Sequence, residues 1–169
     1  MILNFKSKFL FLTFIFSPLV YSNINDYIYP FSNPSFSNYG TLGLLQMPSA
    51  RMHEEGTLGF SWTNNDPYLR GSLVAYPFSW FEASYQYVDV NNALYSNVES
   101  FSGSQTYKDK SFDAKFMVLK ESANLPQIAI GFRDIAGSGI FTSEFIVASK
   151  FYKNIDFTAG MGWGGLSES

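Results

Sequence analysis

Four charged side chains that flank two neighbouring strand-like segments are the first candidates for chemistry in this 169-residue sequence. Arg133 and Asp134 end one alternating segment, whereas Glu144 and Lys150 belong to the next. If the two segments form a hairpin, we expect the four groups at its facing ends. They would either hydrogen-bond sugar hydroxyls in a polar lumen or form a buried ion-pair network that fixes the hairpin. The ion-pair network is favoured, because the lumens of β-barrels are routinely polar.

A catalytic role for these residues has weaker support. Asp134 and Glu144 would act as a glycosidase pair only at one of two narrow separations, which spacing in the sequence does not establish. His53 is the only histidine, so the sequence predicts neither a multi-histidine metal site nor a Ser–His–Asp triad. The run Gly137-Ser138-Gly139 lacks the lysine and the helix of a phosphate loop. We therefore predict no catalytic residue, no metal, no cofactor and no enzymatic activity.

A second set of candidates could contact glycans. Tyr95, Tyr107 and Lys108 lie in residues 91–110, a polar stretch typical of a long loop, and binding residues often lie on loops. The alternative is a mobile surface loop without a ligand. Aromatic side chains on the strands could also stack on sugar rings, but contact with lipid or an interfacial girdle is favoured. These side chains belong to Trp62, Tyr85, Tyr87 and Trp163.

Seven strand-like segments must position these groups. Four of them have a clean period of two, whereas residues 58–63, 69–76 and 145–151 fit this period less cleanly. In residues 80–88, for example, the even-numbered positions Glu82, Ser84 and Gln86 are polar, whereas the odd-numbered positions are aromatic or small. One apolar face and one face of charged, polar or glycine residues is the pattern of a strand that lies between lipid and a lumen. The predicted strands cover residues 58–63, 69–76, 80–88, 112–119, 127–133, 145–151 and 156–163.

The connections between these segments alternate in length. Residues 77–79, 121–126 and 153–154 are short, whereas residues 64–68, 91–110 and 134–142 are longer. Outer-membrane barrels have short periplasmic turns and longer external loops. The sequence thus predicts an all-β fold, an antiparallel meander of amphipathic strands that is part of an outer-membrane-type β-barrel. Because seven strands leave bare edges, we expect the barrel portion, residues 58–169, to be truncated at its C-terminal end.

The N-terminal residues predict export. Residues 1–22 combine Lys6 and Lys8 with a short apolar run and a cleavage site after Ser22, the pattern of a cleavable signal peptide. Residues 23–57 predict an irregular N-terminal arm in the periplasm with a short segment that leads into the barrel. The sequence contains no cysteine, so it offers neither disulfides nor a site for lipid attachment.

Composition agrees with this class of protein. Charged residues make up 15% and aromatic residues 19% of the chain, whereas soluble domains have about a quarter charged residues. The net charge of −3 and the pI near 5.0 give no basic surface, so nucleic acid is not an expected partner.

Several stretches of the sequence together indicate a family. They are residues 39–52 (YGTLGLLQMPSARM), 65–68, 80–83, 87–90, 105–116 (QTYKDKSFDAKF), 125–135 (LPQIAIGFRDI), 137–141, 148–150, 156–158 and 162–164. These stretches resemble YjbH-type exopolysaccharide biosynthesis proteins. The resemblance covers nearly all of the expected mature chain and implies an outer-membrane β-barrel protein that is encoded with polysaccharide secretion machinery, similar to a component of group 4 capsule systems. Such proteins are several times longer than this chain. Many carry a lipobox cysteine, which this sequence lacks, and no catalytic residue is implied.

The expected function follows from both lines of argument. Periodicity predicts a non-enzymatic outer-membrane barrel of a Gram-negative bacterium, and the resemblance adds a role in exopolysaccharide or capsule production or export. The expected partners are outer-membrane lipid, polysaccharide and other exopolysaccharide-secretion proteins. The alternative is a soluble periplasmic β-sandwich that binds polysaccharide and buries the aromatic faces between two sheets.

Overall fold

The computed structural model describes residues 34–153 and 155–165. The predicted signal peptide, residues 1–22, and residues 23–33 of the predicted arm lie outside this part of the chain. In the described part, strands dominate and one short helix is present. The elements are β1 (Gly43–Leu44), β2 (Met47–Pro48), β3 (Leu58–Asn65), β4 (Tyr68–Phe78), β5 (Phe81–Leu94), α1 (Glu99–Ser102), β6 (Thr106–Leu119), β7 (Gln127–Arg133), β8 (Ser143–Tyr152) and β9 (Ile155–Gly164).

Strands β3 to β9 form one antiparallel sheet in which each strand pairs with the next along the chain. The sheet forms a half-barrel. The all-β meander predicted from the period-two pattern is confirmed, and each of the seven predicted segments overlaps one of these strands. Strands β1 and β2 form a separate two-stranded hairpin. No helix of the described part is long and apolar enough to cross a membrane.

Strands β5 and β6 extend furthest beyond their predicted ends. Strands β5 and β6 have 14 residues each, so the predicted loop 91–110 shrinks to residues 95–105. The pairing continues because polar side chains bond across the two strands, where Lys108 and Thr106 both contact the carboxylate of Asp89. The predicted loop 64–68 is also shorter, since residues 66–67 alone connect β3 to β4. Only two of the three predicted long connections are therefore long.

The two faces of the sheet differ in chemistry as the period-two pattern predicts. Along β5, Glu82, Ser84 and Gln86 are buried, whereas Tyr85 and Tyr87 are more exposed on the opposite face. The buried face of the neighbouring strands also carries charged residues, and the other face carries large apolar side chains. The exposed apolar side chains include Phe60, Trp62, Leu73, Phe112, Val118, Ile146, Phe157, Met161 and Trp163.

Residues 34–57, which we call the inner segment, cover the polar face of the sheet. Leu42 is fully buried against Val74 and Tyr76 of β4. Ala50 is fully buried in a second cluster, with Ala129, Phe145 and Val147. The described part of the predicted arm therefore lies inside the half-barrel, against strands that are far away in the sequence.

One glycine adapts the inner face to this packing. Gly131 of β7 pairs with Phe145 of β8, and a Cβ atom at position 131 would collide with the Phe145 ring. The ring can lie flat across β7 only because residue 131 has no side chain. It thereby reaches the cluster around Ala50.

Candidate functional site

The centre of the polar face is an ion pair between two neighbouring strands. Glu82 of β5 and Lys115 of β6 are paired in register, and Lys115 Nζ lies 3.0 Å from Glu82 Oε2. The same carboxylate oxygen accepts a hydrogen bond from the Tyr76 hydroxyl at 2.6 Å. Lys115 Nζ also donates to the Arg51 carbonyl of the inner segment at 3.0 Å. Burial of both charges is tolerated because each has several polar partners.

A second cluster fixes the C-terminal half of the inner segment. Arg51 forms a two-pronged pair with Asp156 of β9, with Nε–Oδ2 and Nη2–Oδ1 distances of 3.0 and 2.5 Å. Its Nη1 atom lies 2.5 Å from Glu121 Oε2. Glu121 also pairs with Lys150 of β8 at 3.2 Å. Arg51 therefore joins the inner segment to strand β9 and to the connection between β6 and β7, and its fork geometry fixes the orientation of the carboxylates.

Backbone atoms of the inner segment are bonded by side chains of the sheet. The Ala50 N–H donates to Ser149 Oγ at 2.9 Å, and the Ala50 carbonyl accepts from Gln127 Nε2 at 2.6 Å. Near the other end, the Tyr39 carbonyl accepts a hydrogen bond from Ser72 Oγ at 3.2 Å. These bonds satisfy the peptide groups of a segment with little secondary structure of its own.

A third cluster lies at the opposite end of the inner face, around the ring of Tyr39. The Arg133 guanidinium lies 3.8 Å from the ring centroid and that of Arg70 lies 4.8 Å from it. Arg70 also lies over the Tyr68 ring at 4.4 Å. Stacking of guanidinium groups on aromatic rings compensates in part for their burial. Tyr39 thereby holds the start of the inner segment against β4 and β7.

The structure brings together only two of the four charged residues predicted at the hairpin. Arg133 and Asp134 are both buried, and the Asp134 N–H donates to Asp113 Oδ1 at 2.9 Å. Glu144 is exposed, because it follows the buried Ser143 by one residue and so points to the other face. Lys150 lies at the far end of β8, where it contacts Glu121. Asp134 and Glu144 thus do not share a face, as a glycosidase pair would require.

Of the three predicted glycan contacts, only Tyr95 lies in a loop. Tyr95 follows β5 and is exposed, with its ring 6.3 Å from that of Phe101. Tyr107 and Lys108 lie within β6, where Lys108 contacts Asp89, so the prediction that they belong to a loop is wrong. Strand β6 includes both residues because Tyr107 pairs with Val90 and Lys108 with Asp89 of β5.

Sequence reasoning overlooked most of the residues that build these clusters. The period-two pattern does place Glu82 and Lys115 on the polar face, and the same parity on β4 would have indicated Arg70. Tyr39 and Arg51 gave no such signal, since the inner segment has no regular period. Among the described residues, no group of three or more acidic, histidine or cysteine side chains could hold a metal ion.

A groove of about 690 Å³ lies between the β1–β2 hairpin and strand β9. It differs from the clusters above because most of its lining is apolar. Arg51 and Asp156 provide its charged groups. The lining also includes Leu44, Leu45, Met47, Phe145, Val147, Thr158, Gly160 and Gly162.

Comparison with known proteins supplies the family. The family model described as "Exopolysaccharide biosynthesis protein YbjH" matches residues 35–169, which include the whole sheet and all but the first residue of the inner segment. This chain belongs to the YjbH family. The match confirms the resemblance that the sequence motifs indicate.

A curated member of the YjbH family is similar to this chain. The chain is 50% identical over 136 residues, 80% of its length, to the protein named "Uncharacterized lipoprotein YjbH" from Escherichia coli (strain K12). The aligned part is 20% of that relative, so this chain spans about a fifth of its length. No solved structure matches the chain.

In this YjbH family member, the charged clusters connect the inner segment to the sheet. Their described partners are side chains of the sheet and backbone atoms of the inner segment. Such a network fixes the position of the inner segment within the half-barrel.

Proposed function

We propose that this chain forms part of the wall of a β-barrel in the outer membrane of a Gram-negative bacterium. The proposal includes export by a cleavable signal peptide at residues 1–22. The observation that carries it is the inverted chemistry of the sheet. Charged side chains such as Glu82 and Lys115 are buried on the inner face, whereas side chains such as Phe60, Trp62 and Met161 are exposed on the outer face.

Contact with a membrane explains why the apolar side chains lie on the outer face of the sheet. A soluble protein gains stability when it removes apolar surface from water, so a row of exposed Phe, Leu and Trp side chains has a free-energy cost. In contact with hydrocarbon the same row has no such cost. Barrels in the outer membrane accordingly have an apolar outer band and a polar interior.

An aromatic cluster at one end of the sheet supports the proposal. Trp80 lies between β4 and β5, and its ring is 5.4 Å from that of Phe78 and 6.3 Å from that of Phe116. The rings of Phe81 and Phe116 are 4.9 Å apart. Aromatic girdles occupy the interface between hydrocarbon and water in outer-membrane barrels. We assign this cluster to the periplasmic interface, because two of the three connections at this end, residues 79–80 and 153–154, are short, whereas two of the three at the other end, residues 95–105 and 134–142, are long.

The biological role comes from the family. We propose that the complete protein assists the production or export of an exopolysaccharide without catalysing a reaction itself. The name of the family model supports the polysaccharide. Use of the buried charged groups in internal contacts supports a non-catalytic role, as does the separation of Asp134 from Glu144. Outer-membrane lipid, polysaccharide and other secretion proteins are the proposed partners. The name of the curated relative supports export and membrane association.

Two experiments test this proposal. In the first, the complete gene product is separated by membrane fractionation, and its gel mobility is compared before and after boiling. We expect recovery in the outer membrane with a heat-dependent shift, whereas recovery in the soluble periplasm would contradict the barrel. In the second, the gene is deleted and surface polysaccharide is quantified. Under secreting conditions, an equal amount of surface polysaccharide in the deletion strain and in the complemented strain would contradict the role.

A further inference from the structure

Strand β9 has an unusual inner surface that leaves the groove open. After Asp156, which pairs with Arg51, its inward-facing positions are Thr158, Gly160 and Gly162, all small, and they lie opposite the β1–β2 hairpin. In that hairpin, Leu44 and Leu45 are 68% and 71% exposed, and Met47 is 60% exposed. Large apolar side chains thus point from the inner segment toward small ones on the sheet, across the groove of about 690 Å³.

The backbone of β9 is also open on the side of this groove. In the described part of the chain β9 pairs only with β8. The Gly165 N–H donates to the Thr142 carbonyl at 2.9 Å, and bonded pairs alternate along an antiparallel ladder. The peptide groups of residues 156, 158, 160 and 162 therefore point away from β8. In a membrane, this row of N–H and C=O groups needs partners.

Strand direction limits what can pair with this edge. The sheet has seven antiparallel strands, so β3 and β9 run in the same direction. A second copy related by an axis along the barrel would pair β9 with β3 in parallel, unlike every other pair in the sheet. A strand from the same polypeptide can instead follow β9 as an antiparallel neighbour. The length of the curated relative, of which the aligned part is 20%, leaves ample sequence for such strands.

We propose that a strand that follows residue 169 in the complete polypeptide pairs antiparallel with β9 and fills the groove with bulky apolar side chains. This inference rests on the proposed barrel. It goes beyond the barrel because it assigns an apolar inner face to the added strand, whereas β4 to β7 have a largely polar one. The added side chains pack on Leu44 and Met47, and the small residues of β9 provide the space.

Photo-crosslinking in the complete protein tests the assignment. A photoreactive phenylalanine analogue replaces Leu44 in the groove or, in a separate variant, Phe112 on the outer face of β6, away from the groove. We expect the probe at position 44 to give an intrachain crosslink to a residue beyond 169, identified by mass spectrometry. A crosslink between two copies, a crosslink confined to residues 23–169, a lipid adduct or no adduct would each overturn the proposal. The probe at position 112 tests the barrel separately, because there we expect lipid adducts.

Substitution of the edge provides a second test. Thr158→Pro removes the N–H that points to the free edge, and Thr158→Val keeps it; both lose the hydroxyl, which lies 2.8 Å from Ser149 Oγ. We expect Thr158→Pro to reduce the heat-modifiable fraction of the complete protein several-fold relative to Thr158→Val. Equal fractions for the two variants would overturn the pairing of β9 with a further strand.

Discussion

At the scale of single residues, the molecule buries charges that a soluble domain of this size would expose. The pair of Glu82 and Lys115 illustrates the balance involved. Removal of both charges from water is unfavourable, and their attraction offsets this cost only when further hydrogen bonds are present. Tyr76 and the carbonyl of Arg51 provide these bonds. We therefore interpret the ion pair as an interaction that holds the inner segment in one position.

The first prediction concerns this pair. Lys115→Met leaves the carboxylate of Glu82 buried without its cation, so we expect the free energy of unfolding to fall by about 3–5 kcal/mol. Urea unfolding of the complete protein in detergent micelles measures the change. The control is the double variant Glu82→Gln with Lys115→Met, which buries no unpaired charge and should lose less. Equal stability of Lys115→Met and the natural protein would contradict this account.

The second prediction concerns Arg51, which joins the inner segment to Glu121 and Asp156. A hydrogen bond to a charged group contributes roughly 1.5–3 kcal/mol, and Arg51 donates several, so Arg51→Met should make local opening at least about 10–100-fold more frequent. Hydrogen exchange of the buried Ala50 amide measures this opening. Arg51→Lys keeps the charge but loses the fork, so we expect an intermediate rate. Identical exchange in all three proteins would show that Arg51 does not hold the segment.

At the scale of elements, the strands could be predicted from sequence but their ends could not. A period of two indicated all seven strands of the sheet, since the inner and outer faces differ in polarity along each of them. Strands β5 and β6 continue beyond the apolar pattern because cross-strand polar contacts, such as that of Asp89 with Lys108, replace it. The polar composition of residues 91–110 therefore led to the wrong prediction that Tyr107 and Lys108 lie in a loop.

The third prediction belongs to the outer face of β5. Tyr85 lies opposite Phe112 with a ring distance of 5.0 Å, near the middle of the strand. An arginine at a lipid-facing midplane position costs about 2–4 kcal/mol, so Tyr85→Arg should reduce the heat-modifiable fraction. Tyr85→Leu serves as the apolar control, and Gln105→Arg places the same charge in the exposed loop before β6. Normal folding of Tyr85→Arg would argue against contact with lipid.

At the scale of the whole molecule, the least predictable feature is the inner segment. Its contacts join residues far apart in sequence, as in the bond from the Ala50 N–H to Ser149, and no local pattern encodes such pairing. The same limit applies to the charged clusters, since Arg51 has no periodic neighbours that would indicate its direction. Arg133 and Asp134 could be predicted as buried only because they end a strand of clear period. The predicted burial of Glu144 is wrong, because Glu144 follows the buried Ser143 by one position and points to the opposite face.

Filling of the interior by the inner segment also limits how the half-barrel works. A barrel lumen that is open to water conducts solutes, whereas a lumen filled by protein does not. Here the segment covers the polar face from β4 to β8, through the clusters around Leu42 and Ala50. We therefore expect this part of the complete protein to act as a scaffold.

If the chain forms part of a membrane barrel, the apolar face of the sheet contacts lipid and the charged face does not. Spin labels attached to single cysteines along β5 of the complete protein, reconstituted in lipid vesicles, test it directly. Labels at Ala83, Tyr85 and Tyr87 should collide with oxygen dissolved in lipid and be shielded from a water-soluble nickel chelate. Labels at Ser84 and Gln86 should be immobilised and shielded from both. Ready collision of the odd-numbered positions with the nickel chelate would contradict the membrane barrel.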